Sequence, residues 1–456
     1  MELLDQILAA LLVVLFFGLA VFIHEFGHYL AARLLHFRID TFSIGFGPAI
    51  WKRRIGQTLY KVCILPLGGY VALPQLDPSS MDTIQGKTDR EAIQPVPAWQ
   101  RIIVALAGPL GNVVLAVALA LLIAAVPSVR TGSADTTIGI VDPASRAYAQ
   151  GLRPGDRITA VQGTPVDSWD DLLLECHLAG PEGQPVELTY SRNGAETKVS
   201  LPLELLYGEL RTIGGIGPAG FAEVDRVLPN SPAEKAGIRP GDTLLALGGE
   251  PLLSPKRLLS RIQSETTTNT TLLVRREGRE LLLSLPPSET VDGTRRIGIV
   301  FSAQCAPGWM RHKRPLDQLK GDVDSILRVF RAFFAPKSKG EGSRAAKSLG
   351  GPILIIEQLY NSIRQNLFCG LGFLRFLCIN LAFINLLPLP VLDGGHILFA
   401  LFEVLTRRKL PKALVERLVN LFAILLIGLM VLLVYKDIRR TIRLHATPDL
   451  PAQANE

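Results

Sequence analysis

Charge is scarce over long distances in this chain. Ile102 to Val126 holds no charged residue, and no Lys or Arg precedes Arg33. Only 20% of the 456 residues are charged while 48% are hydrophobic, a mixture that suits a membrane protein carrying water-exposed parts. The net charge of +7 is modest, and the Lys and Arg residues cluster beside apolar segments. The excess therefore marks membrane topology, and no nucleic-acid partner is expected. Cysteine is sparse as well: Cys63, Cys176, Cys305, Cys369 and Cys378 are scattered, with no C-x-x-C pair. That spacing gives neither a disulfide framework nor a zinc knuckle. The first apolar run lacks the basic region and small-residue cleavage site of a secretory signal, so it is expected to stay as an anchor.

Long apolar runs are what the chain does have. Leu3 to Leu35, Ile102 to Val126, Leu367 to Leu405 and Leu418 to Tyr435 are each long enough to cross a bilayer. Arg33, Arg38, Lys52, Arg53 and Arg54 follow the first, which puts the N-terminus outside and these residues in the cytoplasm. The basic tail from Lys436 to Arg443 runs against the sidedness of the last span, yet four spans remain the best count. Gly108-Pro109-Leu110-Gly111-Asn112 interrupts the second run and reads as a close-packing site, with Asn112 turned to the bundle interior. Pro388 and Pro390 break the third, and a broken helix at membrane depth is tolerated where it lines a cavity. The expected fold class is a multi-pass α-helical membrane protein with four transmembrane helices, a membrane-associated β-hairpin region and two α+β repeats.

Within the first run lies His24-Glu25-Phe26-Gly27-His28. Positions four apart share a helix face, so His24 and His28 offer two imidazoles to one metal, with Glu25 beside them to deprotonate water. This is the H-E-x-x-H pattern of zinc proteases. Ionisable residues cost roughly 2.5–3.5 kcal/mol each at mid-bilayer on insertion scales, so the triplet needs a compensating partner. Catalytic zinc takes three protein ligands and keeps one position open. Asp393 is the best third ligand, and His396, one helical turn later, is its rival. From Asp393 to Arg407 is 14 residues, about 20 Å if helical, so the aspartate reaches a depth similar to that of the histidines. Asn385 has two readings: a hydrogen bond to a substrate carbonyl or oxyanion, and a helix-packing amide.

Between the first two spans, Phe42 to Pro48 and Thr58 to Val71 are β-branched and aromatic and bounded by Gly and Pro, which predicts short strands or a hairpin. It is either an ordinary packed hairpin or an edge offered to an extended substrate. Asp77 to Pro97 reads as a cytoplasmic loop. The middle of the chain contains an internal repeat: Gly151-Leu152-Arg153-Pro154-Gly155-Asp156 recurs as Gly237-Ile238-Arg239-Pro240-Gly241-Asp242, an offset of 86. Two homologous modules follow, at 128–206 and 216–304, each with a helix such as Trp169 to Cys176 or Pro255 to Ile262. Residues 311–347 are basic and fit one amphipathic helix, lying on the membrane surface or packed on the repeats.

The two modules resemble PDZ domains of the bacterial, circularly permuted type, which bind peptides by strand addition; here they serve either as binding sites or as spacers and size filters. His24-Glu25-x-x-His28 in the first span, Asn385-x-x-Pro388-x-Pro390-x-Leu392-Asp393-Gly394 in the third, and the PDZ-like pair together resemble the site-2 protease family of intramembrane zinc metalloproteases. Gly45-Phe46-Gly47-Pro48 and Leu67-Gly68-Gly69-Tyr70-Val71 are similar to that family's membrane-associated β region, and the resemblance runs nearly end to end. It implies Zn2+ held by His24, His28 and Asp393 and Glu25 as catalytic acid and base; beside these, Asn385 is a candidate catalytic residue, and Gly68, Gly69 and Tyr70 are candidates for positioning substrate. It also implies a bacterial inner-membrane location, with the active site towards the cytoplasm and the PDZ-like modules periplasmic. The implied process is regulated intramembrane proteolysis in envelope-stress signalling. Implied partners are the lipid bilayer, a single-span anti-sigma factor already trimmed outside, and remnant signal peptides, whose clearance is the alternative main task. A non-catalytic scaffold recruiting partners through its repeats is the rival from another class, and it leaves the paired motifs without a role.

Overall fold

A helix that is apolar on every face is stable only where its surroundings are apolar too. In the computed structural model, which describes residues 2–76, 96–126, 135–181, 183–206, 210–220, 222–264, 269–291, 294–301, 314–338, 340–408 and 410–446, four helices are long and apolar enough to cross a membrane. These are α1 (Glu2–Leu34), α2 (Ala98–Ala125), α6 (Leu367–Asn385) and α8 (Lys412–Ala446). The loop expected from Asp77 to Pro97 falls almost wholly outside the described residues.

The chain divides into two units. In the first, α2 packs against α1, α6 and α7 (Asp393–Thr406). Its buried stripe, Val104, Ala105, Gly108, Pro109, Asn112, Ala116, Leu119, Ala120 and Ile123, carries Gly or Ala at four positions. That composition lets backbones approach closely where lipid gives no hydrophobic drive between helices. A Cβ on Gly27 would lie 2.2 Å from the Ala107 carbonyl oxygen, and one on Gly111 would lie 2.7 Å from that of Ile23. The helix runs straight through Pro109, so the stretch expected to interrupt this span is a packing seam within one helix.

The β region expected at the membrane is a hairpin of β1 (Thr41–Ile55) and β2 (Thr58–Ala72). Its register doubles over: Thr41 faces both Ala72 and Leu59, and Ile44 faces both Gly69 and Val62. Gly69–Ala72 therefore pairs with Thr41–Ile44 on the side opposite Leu59–Val62 and forms an outer flank. The Tyr29 and Tyr60 hydroxyls meet at 2.8 Å, and Arg33 donates to Tyr29 at 2.8 Å, joining α1 to β2.

Helix α3 (Pro315–Phe334) contributes its first turns to this unit. Arg375, in the middle of apolar α6, is 1% exposed and is neutralised there by Asp322, with contacts of 2.7 and 3.0 Å, while Gln318 accepts a further bond at 2.6 Å. An unpaired guanidinium at that position would be expensive. A helix not foreseen from the sequence, α5 (Pro352–Gln365), starts under the Asp437 carboxylate, which accepts from the N–H groups of Gly351 at 3.1 Å and Leu354 at 3.0 Å. The basic tail beyond Tyr435 is simply the continuation of α8.

In the second unit each repeat has its own core, one around Ile138, Leu152, Ile158, Leu172 and Leu188, the other around Val224, Leu244, Leu258 and Leu272. Helices Trp169–Leu178 and Pro255–Ser264 occupy matching places. The strand Ile216–Pro218 pairs with Ile138–Val141, as Ile299–Phe301 pairs with Ala222–Val227. Residue 216, the expected start of the second module, thus lies in a strand paired with the first. The basic stretch 311–347, expected as one surface helix, forms two helices over its described part, α3 and α4 (Glu341–Ser348). Gly340 at φ +80° makes the turn between them, and Glu341 takes the N–H groups of Lys337 and Ser338. Arg328 on α3 pairs with Glu175, and the Arg344 guanidinium holds the Leu178 carbonyl, so both helices pack on the first repeat. Cys63, Cys176 and Cys378 are free and buried.

The repeated Arg-Pro-Gly-Asp turn has a common physical basis. Asp156 takes Arg192 at 2.6 and 2.7 Å and the Arg153 N–H at 2.7 Å; Asp242 takes Arg276 at 2.7 and 2.8 Å and the Arg239 N–H at 2.9 Å. Burial acts to raise the Asp242 pKa, but the Arg276 guanidinium, the Arg239 N–H and the Arg239 charge together outweigh it and hold the carboxyl below the usual range. The pair's stabilisation is therefore full above the ordinary carboxylate pKa and is lost as pH falls through the lowered folded value. Asp242→Asn should weaken the second repeat by roughly 1–3 kcal/mol at neutral pH and flatten its acid sensitivity, read as hydrogen-exchange protection of Thr243–Leu247. Unchanged protection in the variant would refute this.

Candidate metal centre

Helical periodicity puts His24 and His28 on one face of α1, and that face meets α2. His28 is 6% exposed, and its Nδ1 lies 2.8 Å from the Val104 carbonyl, to which it donates, so Nε2 carries the free lone pair. Space for the ring comes from Gly108, where a Cβ would lie 2.2 Å from His28 Nε2. On α1's other histidine, Nδ1 lies 3.4 Å from Asn112 Nδ2, and Nε2 approaches His28 Nε2 at 3.2 Å.

The third element comes from the broken span. Helix α6 ends at Asn385, and α7 begins at Asp393. Gly394 and Gly395 let the intervening residues fold tightly over the first turn of α7: a Cβ on either would lie 2.2 or 2.3 Å from the carbonyl oxygens of Leu387 and Leu389. Asp393 sits in that first turn, where a helix N-terminus favours a carboxylate. An ion pair between Arg101 and Glu403 fastens α7 to α2. Asp393 Oδ2 reaches His24 Nε2 at 3.2 Å, and Oδ1 reaches His28 Nε2 at 3.4 Å. The three ligand atoms lie within 4.8 Å of one another.

This convergence fits a divalent metal. Two imidazole nitrogens face each other and a carboxylate, and Asp393 Oδ2 is buried without a hydrogen-bond partner. Acceptors aimed at one point among apolar helices are costly unless a cation lies between them. Two imidazoles, one carboxylate and an open position form the donor set of catalytic zinc. His396 lies on α7 but outside this group of three.

Glu25 is beside the set, not in it. Its Oε2 accepts from the Val71 N–H at 3.1 Å, so the flank of the hairpin meets the acid/base candidate directly. Gly69 lies against it: a Cβ there would be 2.6 Å from the Ser43 carbonyl oxygen and 3.6 Å from Glu25 Cγ. Gly68 has φ +141° and is packed on the Phe46 ring, which also stacks with Tyr70 at 6.4 Å. Asn385 closes α6 eight residues ahead of Asp393, partly exposed.

A family model, peptidase family M50, matches residues 12–430. The chain belongs to peptidase family M50. Among its relatives, the regulator of sigma-E protease RseP of Salmonella typhimurium is 30% identical over 456 residues, covering 95% of this chain and 98% of that one. The Escherichia coli regulator of sigma-E protease RseP is 29% identical, over 93% of this chain and 96% of its own length. A Vibrio cholerae protein described as a zinc metalloprotease is 30% identical over 93% of this chain and 96% of its own. Among solved structures, the HtrA3 PDZ domain bound to a phage-derived ligand shares 32% identity over 17% of this chain and 66% of that chain, with a TM-score of 0.14. As an M50 peptidase, the protein is a zinc metalloprotease.

Sequence reasoning named His24, His28 and Asp393, which the structure brings together, but not what surrounds them. The Val104 carbonyl, the Val71 N–H and the Arg101–Glu403 pair went unnoticed, and Gly108 was expected at a close-packing site but not against His28. The only available signal was the small-residue pattern Gly108-x-x-Gly111 inside an uncharged run. Gly108→Ala should displace the His28 ring and lower zinc affinity at least about tenfold. Gly428→Ala, at a position with open space around it, should leave zinc content unchanged. Zinc per chain in detergent-purified protein checks both, and full zinc in Gly108→Ala would contradict the packing account.

Proposed function

We propose that this M50 peptidase cleaves transmembrane segments of single-span membrane proteins within the inner membrane, at a site towards the cytoplasm. The observation that carries the reading is the meeting of His24, His28 and Asp393, drawn from two apolar segments, inside a helix bundle. His24, His28 and Asp393 would hold the zinc. Bound zinc would supply Lewis acidity, making water a stronger nucleophile and polarising the scissile carbonyl.

The remaining steps belong to the chain. Glu25 removes a proton from the attacking water and passes it to the leaving amine. A helical substrate hides its carbonyls in its own hydrogen bonds, so it must unwind before it is cut. The flank Gly69–Ala72 supports that step by offering backbone groups to an extended segment beside Glu25, with Gly68, Gly69 and Tyr70 shaping the approach. Asn385, at the end of α6, is assigned a hydrogen bond to the substrate carbonyl.

The favoured substrate is an anti-sigma factor already trimmed outside, in keeping with relatives named regulators of sigma-E protease. In this reading the repeats are PDZ-like, lie on the periplasmic side and exclude untrimmed substrates.

Glu25→Gln should retain about one zinc per chain and lose cleavage of a single-span substrate by roughly 100-fold or more. Full activity in that variant would sink the mechanism. Removing residues 128–304 should relax discrimination against untrimmed substrates while a pre-trimmed one is still cut. Loss of all cleavage would instead reject the filter role.

A further inference from the structure

Among the described polar side chains, Asn112 is the one that touches the metal site without a part in the chemistry above. It is 0% exposed on α2, one turn beyond Gly108. Its Nδ2 lies 3.4 Å from His24 Nδ1, and its Oδ1 is buried with no hydrogen-bond partner. As placed, the amide would donate to Nδ1. That would leave the His24 proton on Nε2, the nitrogen that faces Asp393 and His28. A protonated nitrogen cannot ligate a metal.

Turning the amide over exchanges its oxygen and nitrogen with little change in shape. The orphaned oxygen then accepts from His24 Nδ1–H, and the Nε2 lone pair turns towards the metal position. His28 already has this arrangement, with its Nδ1 on the Val104 carbonyl. One backbone carbonyl and one side-chain amide, both on α2, would thus fix the two imidazoles in the same tautomer.

We propose that Asn112 is a positioning residue that accepts the Nδ1 proton of His24 and so presents Nε2 to zinc. The proposal rests on the metal-centre reading above. Outer partners of this kind hold the ring orientation and raise ligand basicity, and their loss costs about 10–100-fold in metal affinity.

Two near-isosteric variants separate accepting from donating. Asn112→Asp keeps two acceptor oxygens and removes the donor; Asn112→Leu removes both. Zinc affinity is measured on the full-length protein in detergent, by competition with a chromogenic chelator, and far-UV circular dichroism melts monitor the fold. Asn112→Asp should bind zinc within a few-fold of wild type or more tightly, and Asn112→Leu about 10–100-fold more weakly with an unchanged zinc-free melt. The proposal is overturned if Asn112→Asp loses affinity, since a donating amide is the arrangement that aspartate cannot replace. It is overturned equally if a folded Asn112→Leu binds zinc like wild type. Should the leucine variant fail to fold, the aspartate result alone still decides. His24→Ala is run beside them: if it leaves zinc affinity intact, the metal-centre reading itself fails, independently of Asn112.

Discussion

Two imidazoles and a carboxylate, aimed at one point between apolar helices, are the constraint on which this structure turns. Each group alone would favour solvent over such surroundings, and a cation shared between them would make the arrangement favourable. The small residues of α2, the glycine-lined break before α7 and the ion pair between Arg101 and Glu403 serve to bring and keep the three together.

Around that centre the polar groups are distributed with the same economy. Arg375 is sunk in an apolar helix, yet Asp322 and Gln318 meet it fully. Asp437 caps a helix start, and Glu25 is held by a backbone N–H of the hairpin. In a bundle surrounded by lipid, water is not at hand to repair a missing partner, so Arg375, Asp437 and Glu25 are each matched locally. The second unit follows different rules: its turns are stapled by Asp156–Arg192 and Asp242–Arg276, with apolar cores beneath.

Much of this was legible in one dimension because it rests on local pattern. The H-E-x-x-H spacing fixes His24 and His28 on one helix face, and Pro388 and Pro390 mark where α6 gives way to α7. The offset of 86 reveals the repeats. What could not be read depends on contacts between distant segments. Arg192 and Arg276 stand at an offset of 84, so the partners of the two repeated aspartates fall out of register with the motif that advertises them. Strand Ile216–Pro218 belongs to the first repeat by hydrogen bonding alone. Helix α5 begins where a carboxylate from α8 receives it, which no nearby residue announces. Asn112 reads from sequence as one more packing amide until His24 is placed beside it.

The seam between α1 and α2 has a mechanical meaning. With Gly27 against the Ala107 carbonyl and Gly111 against that of Ile23, the two backbones already touch, and neither helix can slide or turn without collision. The pair behaves as a fixed anvil carrying both histidines. Glu25 rides on that anvil with the histidines and is met there by the Val71 N–H of the hairpin, while Asp393 reaches it from the first turn of α7, just past the curl from Leu386 to Leu392.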